Sequence, residues 1–165
     1  MHYNYFNNEK RIDNVPVDVL VGDALWVHFP DKKNLEEITA ADLEKATAGK
    51  NLEGVRLVIT TGYTDENWKK EDYFHVSPYL SVDSAEWMVK KKIAMVAIDF
   101  QTDKPGDTTF PVHNILLSNE IYILEYLTNI PALIKSGFGE TFTLVVGVLK
   151  LEGLEAATAR VFAIK

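Results

Sequence analysis

Two side chains in the later half of the chain have the chemistry of metal ligands. His113 and Glu125 lie twelve residues apart (125 − 113 = 12) in a stretch whose other residues are mostly apolar or amide-bearing. An imidazole nitrogen and a carboxylate oxygen are both ligands that Zn²⁺ accepts. The spacing alone also fits a hydrogen-bonded core histidine and a capped or salt-bridged glutamate, which is the commoner arrangement for isolated titratable groups.

The elements that would place this pair are a helix and a strand. Pro111 suits the first turn of a helix, because its missing N–H would have no partner there, and His113 lies close to that start. Asn119 is predicted to end the helix in a left-handed conformation. Residues 121–124 are β-branched or apolar and predict a buried strand, so Glu125 stands where the strand ends. A carboxylate buried there needs donors or a cation.

The rest of the chain alternates strands and helices, which predicts a single α/β domain, residues 1–165, with a mixed β-sheet and flanking helices. The last two strands are predicted to form an antiparallel pair. Predicted strands are 23–29, 55–61, 93–99, 121–124, 140–151 and 157–164, and predicted helices are 38–48, 82–92, 111–119 and 129–136. Thr39 with Asp42 predicts a capping box, and Ser81 predicts a second helix cap.

Several other polar residues have two interpretations. Asp99 ends a strand, where α/β sheets place ligands, although capping of the following turn is the simpler role. His28 alternates with apolar neighbours and is predicted to be a surface or edge histidine. The stretch 62–78 is predicted to be a long polar loop, which either lines a site or is a surface excursion.

Bulk composition limits the possible functions. The net charge of −7 argues against nucleic acid, whose backbone requires a basic surface. The chain has no cysteine, which excludes disulfides, a thiolate nucleophile, a Cys–zinc site and an iron–sulfur cluster. No apolar run approaches membrane-spanning length, and the first ten residues have no apolar signal core. These features predict a cytoplasmic protein with neither membrane nor nucleic-acid partners.

An ordered set of segments along nearly the whole chain resembles the cyclase family of metal-dependent hydrolases, which includes kynurenine formamidase and isatin hydrolase. No single segment identifies the family, but the whole set, occurring in the same order as in the family, is specific. The segments are Val15-Pro-Val-Asp-Val-Leu-Val-Gly-Asp-Ala24, residues 38–43, Thr61-Gly-Tyr63 with Trp68, residues 80–87, Val96-Ala-Ile-Asp99, Pro111-Val-His-Asn-Ile-Leu-Leu117, Leu124-Glu-Tyr-Leu-Thr-Asn129, residues 149–153 and Ala159-Arg160.

The resemblance implies a β/β/α fold of the swivelling type and a hydrolase that opens a cyclic or N-formyl amide, such as N-formylkynurenine. It implies that zinc or manganese is held by His113 and Glu125, and that His2 is the acid–base residue. Aromatic residues that could line a pocket for a flat ring include Tyr3, Phe6, Tyr63 and Trp68, although ordinary packing is the commoner role for each.

The sequence departs from the family near its start. Family members carry a His-x-Gly-Thr-His-x-Asp-x-Pro-x-His-Phe motif, and only its last pair has a counterpart here, in His2 and Tyr3. The three upstream ligands would then come from a longer natural chain or another chain, or be unnecessary. The alternative is a non-catalytic relative that serves as a binding or oligomerisation module. Without the family's N-terminal strands a sheet edge would be exposed, which predicts a homo-oligomer.

Overall fold

A mixed β-sheet is the centre of the fold in the computed structural model, which describes residues 1–2 and 10–165. The strands of the described residues are β1 (Val21–His28), β2 (Glu37–Ile38), β3 (Arg56–Thr60), β4 (Tyr79–Leu80), β5 (Met95–Ile98), β6 (Tyr122–Leu124), β7 (Thr141–Val148) and β8 (Ala159–Ile164). The helices are α1 (Val17–Leu20), α2 (Ala40–Ala46), α3 (Tyr63–Asn67), α4 (Val82–Lys91), α5 (Pro111–Ser118) and α6 (Ile130–Lys135), with a 3₁₀ turn at Ile12–Asn14.

Six strands form the main sheet in the order β6-β5-β3-β1-β7-β8. β6, β5, β3 and β1 are parallel, whereas β7 and β8 are antiparallel additions on the far side of β1. The predicted α/β class with a mixed sheet and a C-terminal antiparallel pair is therefore confirmed. Parallel strands bring their carboxyl ends to one edge, where α/β proteins place ligands. Glu125 follows β6 at that edge.

Both faces of the parallel strands are covered, which explains their apolar sequences. Every residue of β3 and of β5 is buried. On one face, Leu43 of α2, Met88 of α4 and Leu116 of α5 belong to the same buried cluster as the strand residues. On the other face, Met95 and Tyr122 pack with residues of β7. The helices thereby fix the strand ends that carry the polar side chains.

The predicted helix caps are confirmed at two of three places. Thr39 and Asp42 form a reciprocal capping box at α2, and Ser81 accepts the Ser84 N–H at α4. Asn119 ends α5 as predicted, but its predicted left-handed conformation is wrong: its φ is −102°, and Glu120 is the left-handed residue, with φ 61°. The Asn119 side-chain amide donates to the Ile115 carbonyl at 2.8 Å, which satisfies the helix end without a left-handed backbone at that position.

The stretch 62–78 is not a continuous loop, because α3 lies inside it. The Asp99 carboxylate accepts the Thr61 and Gly62 N–H groups at 2.8 and 2.6 Å. The Asp99 carbonyl accepts the Thr64 N–H at 3.2 Å. These bonds hold the first turn of α3 against the end of β5, a tertiary stabilisation that its polar sequence did not indicate.

The first two residues link β6, at one side of the main sheet, to the segment that precedes β8, at the opposite side. His2 forms isolated antiparallel bridges with Ile123 in β6 and with Ala156, three residues before β8. The His2 N–H donates to the Ile123 carbonyl at 2.7 Å, and the Ala157 N–H donates to the Met1 carbonyl at 3.1 Å. His2 is thus fixed beside the strand that precedes Glu125. In the described ranges, no helix has the length and apolar character needed to cross a membrane.

Candidate metal centre

His2, His113 and Glu125 bring three potential ligand atoms together. The Glu125 Oε2 atom lies 3.2 Å from His2 Nε2 and 3.9 Å from His113 Nε2. All three atoms lie within 4.8 Å of one another. The two imidazole rings meet edge to face, with centroids 5.1 Å apart. The structure therefore places the three residues that the sequence singled out around one point.

Thr102 holds the Glu125 carboxylate from the side away from the imidazoles. The Thr102 N–H and hydroxyl donate to Glu125 Oε1 at 2.9 and 2.6 Å. The Glu125 side chain is 8% exposed. Burial alone would raise the pKa of Glu125, but the His2 hydrogen bond, the charge of protonated His113 and the Thr102 hydroxyl lower that pKa to about 2. Glu125 is therefore a carboxylate at neutral pH, and its Oε2 faces the two rings.

Asp103 orients His113. Its carboxylate is 2% exposed, accepts the Val112 N–H at 2.7 Å and forms a short contact with His113 Nδ1. In the neutral ring, this bond favours the proton on Nδ1, facing Asp103, and leaves the Nε2 lone pair directed toward Glu125. Histidines that bind metals usually make such a second bond to a carboxylate, which fixes the tautomer and the ring orientation.

His2 is the most accessible of the three side chains. It is 34% exposed, against 12% for His113. A cavity of about 610 Å³ lies beside it and is bordered by Glu125, by residues 126–129 and by residues 156–161. A second cavity of about 310 Å³ includes both His2 and His113 in its wall. Of the three groups, His2 is thus best placed to exchange a proton with a bound molecule.

Two imidazole nitrogens and a carboxylate oxygen are a donor set that can hold a divalent cation. Tetrahedral zinc bonds of about 2.0–2.1 Å place two ligand atoms about 3.3 Å apart. The distance of 3.2 Å from Glu125 Oε2 to His2 Nε2 matches that value, whereas the distance of 3.9 Å to His113 Nε2 is longer. The Asp103–His113 and Thr102–Glu125 bonds supply the outer hydrogen bonds that such sites need.

The sequence pattern does not indicate a role for Thr102 and Asp103, which lie in the predicted loop at 101–109. Both are buried, although their residue types are usually exposed. The available signal was position: two polar residues follow β5 at the edge where parallel strands place ligands. Asp103 also stands ten residues before His113, so only the folded chain shows that they meet.

Of the four aromatic residues predicted to line a substrate pocket, two lie away from the cavities beside His2 and two fall outside the described residues. Tyr63 is 5% exposed and stacks on Tyr73 with centroids 5.4 Å apart, and Trp68 packs edge-on against the same ring at 5.4 Å. Neither borders the two cavities that contain His2. Tyr3 and Phe6 fall outside the described residues. The substrate role of these four residues stays a prediction.

Asp99 and His28 have structural partners. The Asp99 carboxylate caps the turn after β3 rather than the turn that follows Asp99 itself. Burial raises the pKa of Asp99 to about 6, although three hydrogen bonds from Thr61 and Gly62 oppose that shift. His28 Nδ1 lies 2.9 Å from Thr60 Oγ1. Of the predicted surface or edge position, the edge is wrong because β1 runs inside the sheet, and the side chain is half-buried.

Comparison with known sequences shows one family. Residues 1–104 match the family described as "Putative cyclase". The chain is 30% identical over 124 residues to a kynurenine formamidase of Bacillus cereus, which covers 74% of this chain and 55% of the relative. It is 34% identical over 124 residues to cyclase-like protein 3 of Oryza sativa, which covers 73% of this chain and 43% of the relative. The chain thus spans about half the length of the curated relatives it matches.

Solved structures share the fold. An isatin hydrolase bound to the product analogue thioisatinate superposes with a TM-score of 0.81 at 20% identity, covering 95% of this chain and 64% of the other. A potential metal-dependent hydrolase with cyclase activity superposes with a TM-score of 0.73 at 23% identity, covering 92% of this chain and 69% of the other. At these identities the likeness shows a common architecture.

Proposed function

Because the chain belongs to the putative cyclase family, we propose that it is a metal-dependent hydrolase that opens a cyclic or N-formyl amide bond. The observation that carries the proposal is the meeting of His2, His113 and Glu125 within 4.8 Å. His2 comes from the opposite half of the chain to the other two residues, and the His113 and Glu125 side chains are 12% and 8% exposed with their own hydrogen-bond partners. Perturbed and convergent titratable groups of this kind are typical of functional sites.

In this proposal His113 Nε2 and Glu125 Oε2 hold the cation, zinc or manganese. When bound, the cation supplies Lewis-acid polarisation of the amide carbonyl and of the attacking water. Asp103 keeps the His113 lone pair directed at the site, and Thr102 keeps one carboxylate oxygen turned away from it. The protein's own contribution is thus a fixed donor geometry that does not reorganise during the reaction.

His2 carries the proton in this proposal. Its imidazole is in reach of a molecule in the 610 Å³ cavity and lies 3.2 Å from Glu125 Oε2. A histidine in this position accepts a proton from the attacking water and returns it to the leaving nitrogen. His2 can alternatively serve as a third ligand, and in that case another group must transfer the proton.

The substrate and the assembly are further parts of the proposal. The names of the relatives, kynurenine formamidase and isatin hydrolase, support an aryl formamide such as N-formylkynurenine or a cyclic amide fused to a ring. A homo-oligomer is supported by β8, a sheet-edge strand on which Phe162 and Ile164 are 54% and 51% exposed. Exposed apolar strands at an edge favour pairing with another chain.

The direct test is hydrolysis of N-formylkynurenine by the purified 165-residue chain, assayed after loading with zinc or manganese and again after EDTA treatment. We expect turnover that requires the metal. His113→Ala and Glu125→Ala should each reduce the rate by at least a hundredfold, because each removes a proposed ligand. His75→Ala is the matched control, since it removes an exposed histidine of the α3–β4 connection.

The variant His2→Ala separates proton transfer from metal binding. If His2 carries the proton, the variant retains the metal and loses turnover. Absence of any metal-stimulated turnover in the folded wild-type chain would contradict the hydrolase and favour the non-catalytic binding or oligomerisation module.

A further inference from the structure

Phe110 has an unusual backbone conformation beside the candidate metal centre. Its φ and ψ are 49° and 51°, in the left-handed region, and it directly precedes Pro111. Non-glycine residues are uncommon in that region, and a following proline further restricts a residue to extended conformations. Such a conformation costs on the order of 1 kcal/mol or more and persists where surrounding structure requires it.

The strained backbone places the Phe110 ring next to His113. The ring centroids lie 6.1 Å apart, edge to face. Phe110, His2, His113, Glu155 and Ala156 line the 310 Å³ cavity, a volume at the lower end of small-molecule sites, which span about 300–1,000 Å³. The cavity wall thus combines an aromatic ring with both imidazoles of the candidate centre.

The ring of Phe110 is not used to fill the core. It is 47% exposed, whereas most large apolar residues of the adjoining α5 are buried. Among the described non-glycine residues with positive φ, the aromatic ones are Phe110 and Tyr126, and Tyr126 directly follows Glu125. Tyr126 packs against Tyr73, with centroids 6.0 Å apart. Phe110 therefore keeps an accessible aromatic surface where the backbone conformation is costly.

We propose that Phe110 is a substrate-binding, specificity-determining residue that packs against a planar aromatic ring in the 310 Å³ cavity. This inference rests on the proposed function, because the ring it selects belongs to the amide that His2 and Glu125 act on. Aromatic pairs in offset or edge-to-face contact contribute beyond their buried area, and a saturated ring of similar size lacks that contribution. Phe110 then favours aryl amides over alkyl amides.

The test is a binding comparison with two probes of similar size, formanilide and N-cyclohexylformamide. Dissociation constants are measured by ligand-observed NMR titration on the full chain, with and without one equivalent of zinc. We expect the wild-type chain to bind formanilide about fivefold more tightly than N-cyclohexylformamide. Phe110→Leu keeps an apolar side chain without an aromatic face, and we expect it to bring the ratio close to one.

Three further variants separate binding from folding. Phe162→Leu removes another exposed phenylalanine, on β8 and outside the 310 Å³ cavity, and should leave the ratio unchanged. Phe110→Gly and Phe110→Ala both lack the ring, but only glycine adopts a φ of 49° without strain. We expect Phe110→Gly to melt at a higher temperature than Phe110→Ala and both to lose the preference for formanilide.

A wild-type chain that shows no preference, or that binds neither probe saturably, would overturn the assignment of Phe110. An unchanged ratio in Phe110→Leu would do the same. Failure of this inference can be told apart from failure of the proposed function. A preference that depends on Phe110 without hydrolysis of formyl amides removes only the hydrolase, and hydrolysis with a rate ratio indifferent to Phe110 removes only this inference.

Discussion

Thr102 and Asp103, neighbours in the chain, each fix a different member of the candidate metal centre. Thr102 donates two hydrogen bonds to Glu125 Oε1, and Asp103 accepts from the His113 ring and from the start of α5. One short segment after β5 therefore sets the relative position of a carboxylate and an imidazole from two other elements. The precision of the site depends on this segment as much as on His113 and Glu125.

Replacing Asp103 should weaken metal binding more than it changes the fold. Asp103→Asn retains the shape but loses the negative charge beside His113 Nδ1. Removing such an outer partner typically reduces metal affinity about 10- to 100-fold. The zinc dissociation constant can be measured by competition with a chromophoric chelator. Asp107→Asn, at a half-buried aspartate of the same loop, is the control, and equal affinities in both variants would contradict the role of Asp103.

Replacing Thr102 should destabilise the chain even without a metal. Thr102→Val removes the hydroxyl that donates to Glu125 Oε1 at 2.6 Å and leaves a buried carboxylate with one donor fewer. The expected loss is about 1–3 kcal/mol in the free energy of unfolding, the usual cost for a hydrogen bond to a charged group. Urea titration of Thr102→Val and of Thr102→Ser measures it. Thr102→Ser retains the hydroxyl, so a loss of equal size there would argue against the hydrogen bond as the cause.

Protonation of the buried Asp99 carboxylate should make the folded chain more stable in mild acid than at neutral pH. Burial raises the pKa of Asp99 to about 6, so the folded chain holds that proton more tightly than the unfolded chain. Through this group alone, stability increases as the pH falls from about 7 to about 4. In Asp99→Asn this increase is absent, whereas exposed Asp31→Asn retains it. Urea titrations at several pH values measure the slopes, and parallel slopes for wild type and Asp99→Asn would contradict the prediction.

Asp65 should hold the segment that leads from Glu125 into α6. Its carboxylate oxygens accept the Asn129 and Ile130 N–H groups at 2.9 and 2.8 Å. Loss of a side chain that caps a helix start costs about 0.5–2 kcal/mol. We therefore expect Asp65→Ala to lower the free energy of unfolding by that amount and to increase hydrogen exchange at Asn129 and Ile130. Glu66→Ala, one residue further along α3, is the matched control.

The sequence predicted the parts of this fold that depend on local pattern. The capping box at Thr39 and Asp42 and the strand before Glu125 follow from residue types at fixed short spacing. The meeting of Asp103 with His113, and the helical start at Tyr63, depend on hydrogen bonds between residues 10 and 38 positions apart. Such contacts leave no local periodicity, so the pattern did not indicate them. His2 entered the site through the family resemblance, and its bridges to Ile123 and Ala156 explain how it arrives there.

The central claim is that His113 and Glu125 hold a divalent cation beside His2. Equilibrium dialysis of the full chain against zinc, followed by elemental analysis, tests it most directly. We predict one zinc ion per chain for wild type and for His75→Ala, with at least tenfold weaker binding in His113→Ala and in Glu125→Ala. Binding of equal strength in all four proteins, or no stoichiometric zinc in the folded wild type, would contradict the claim.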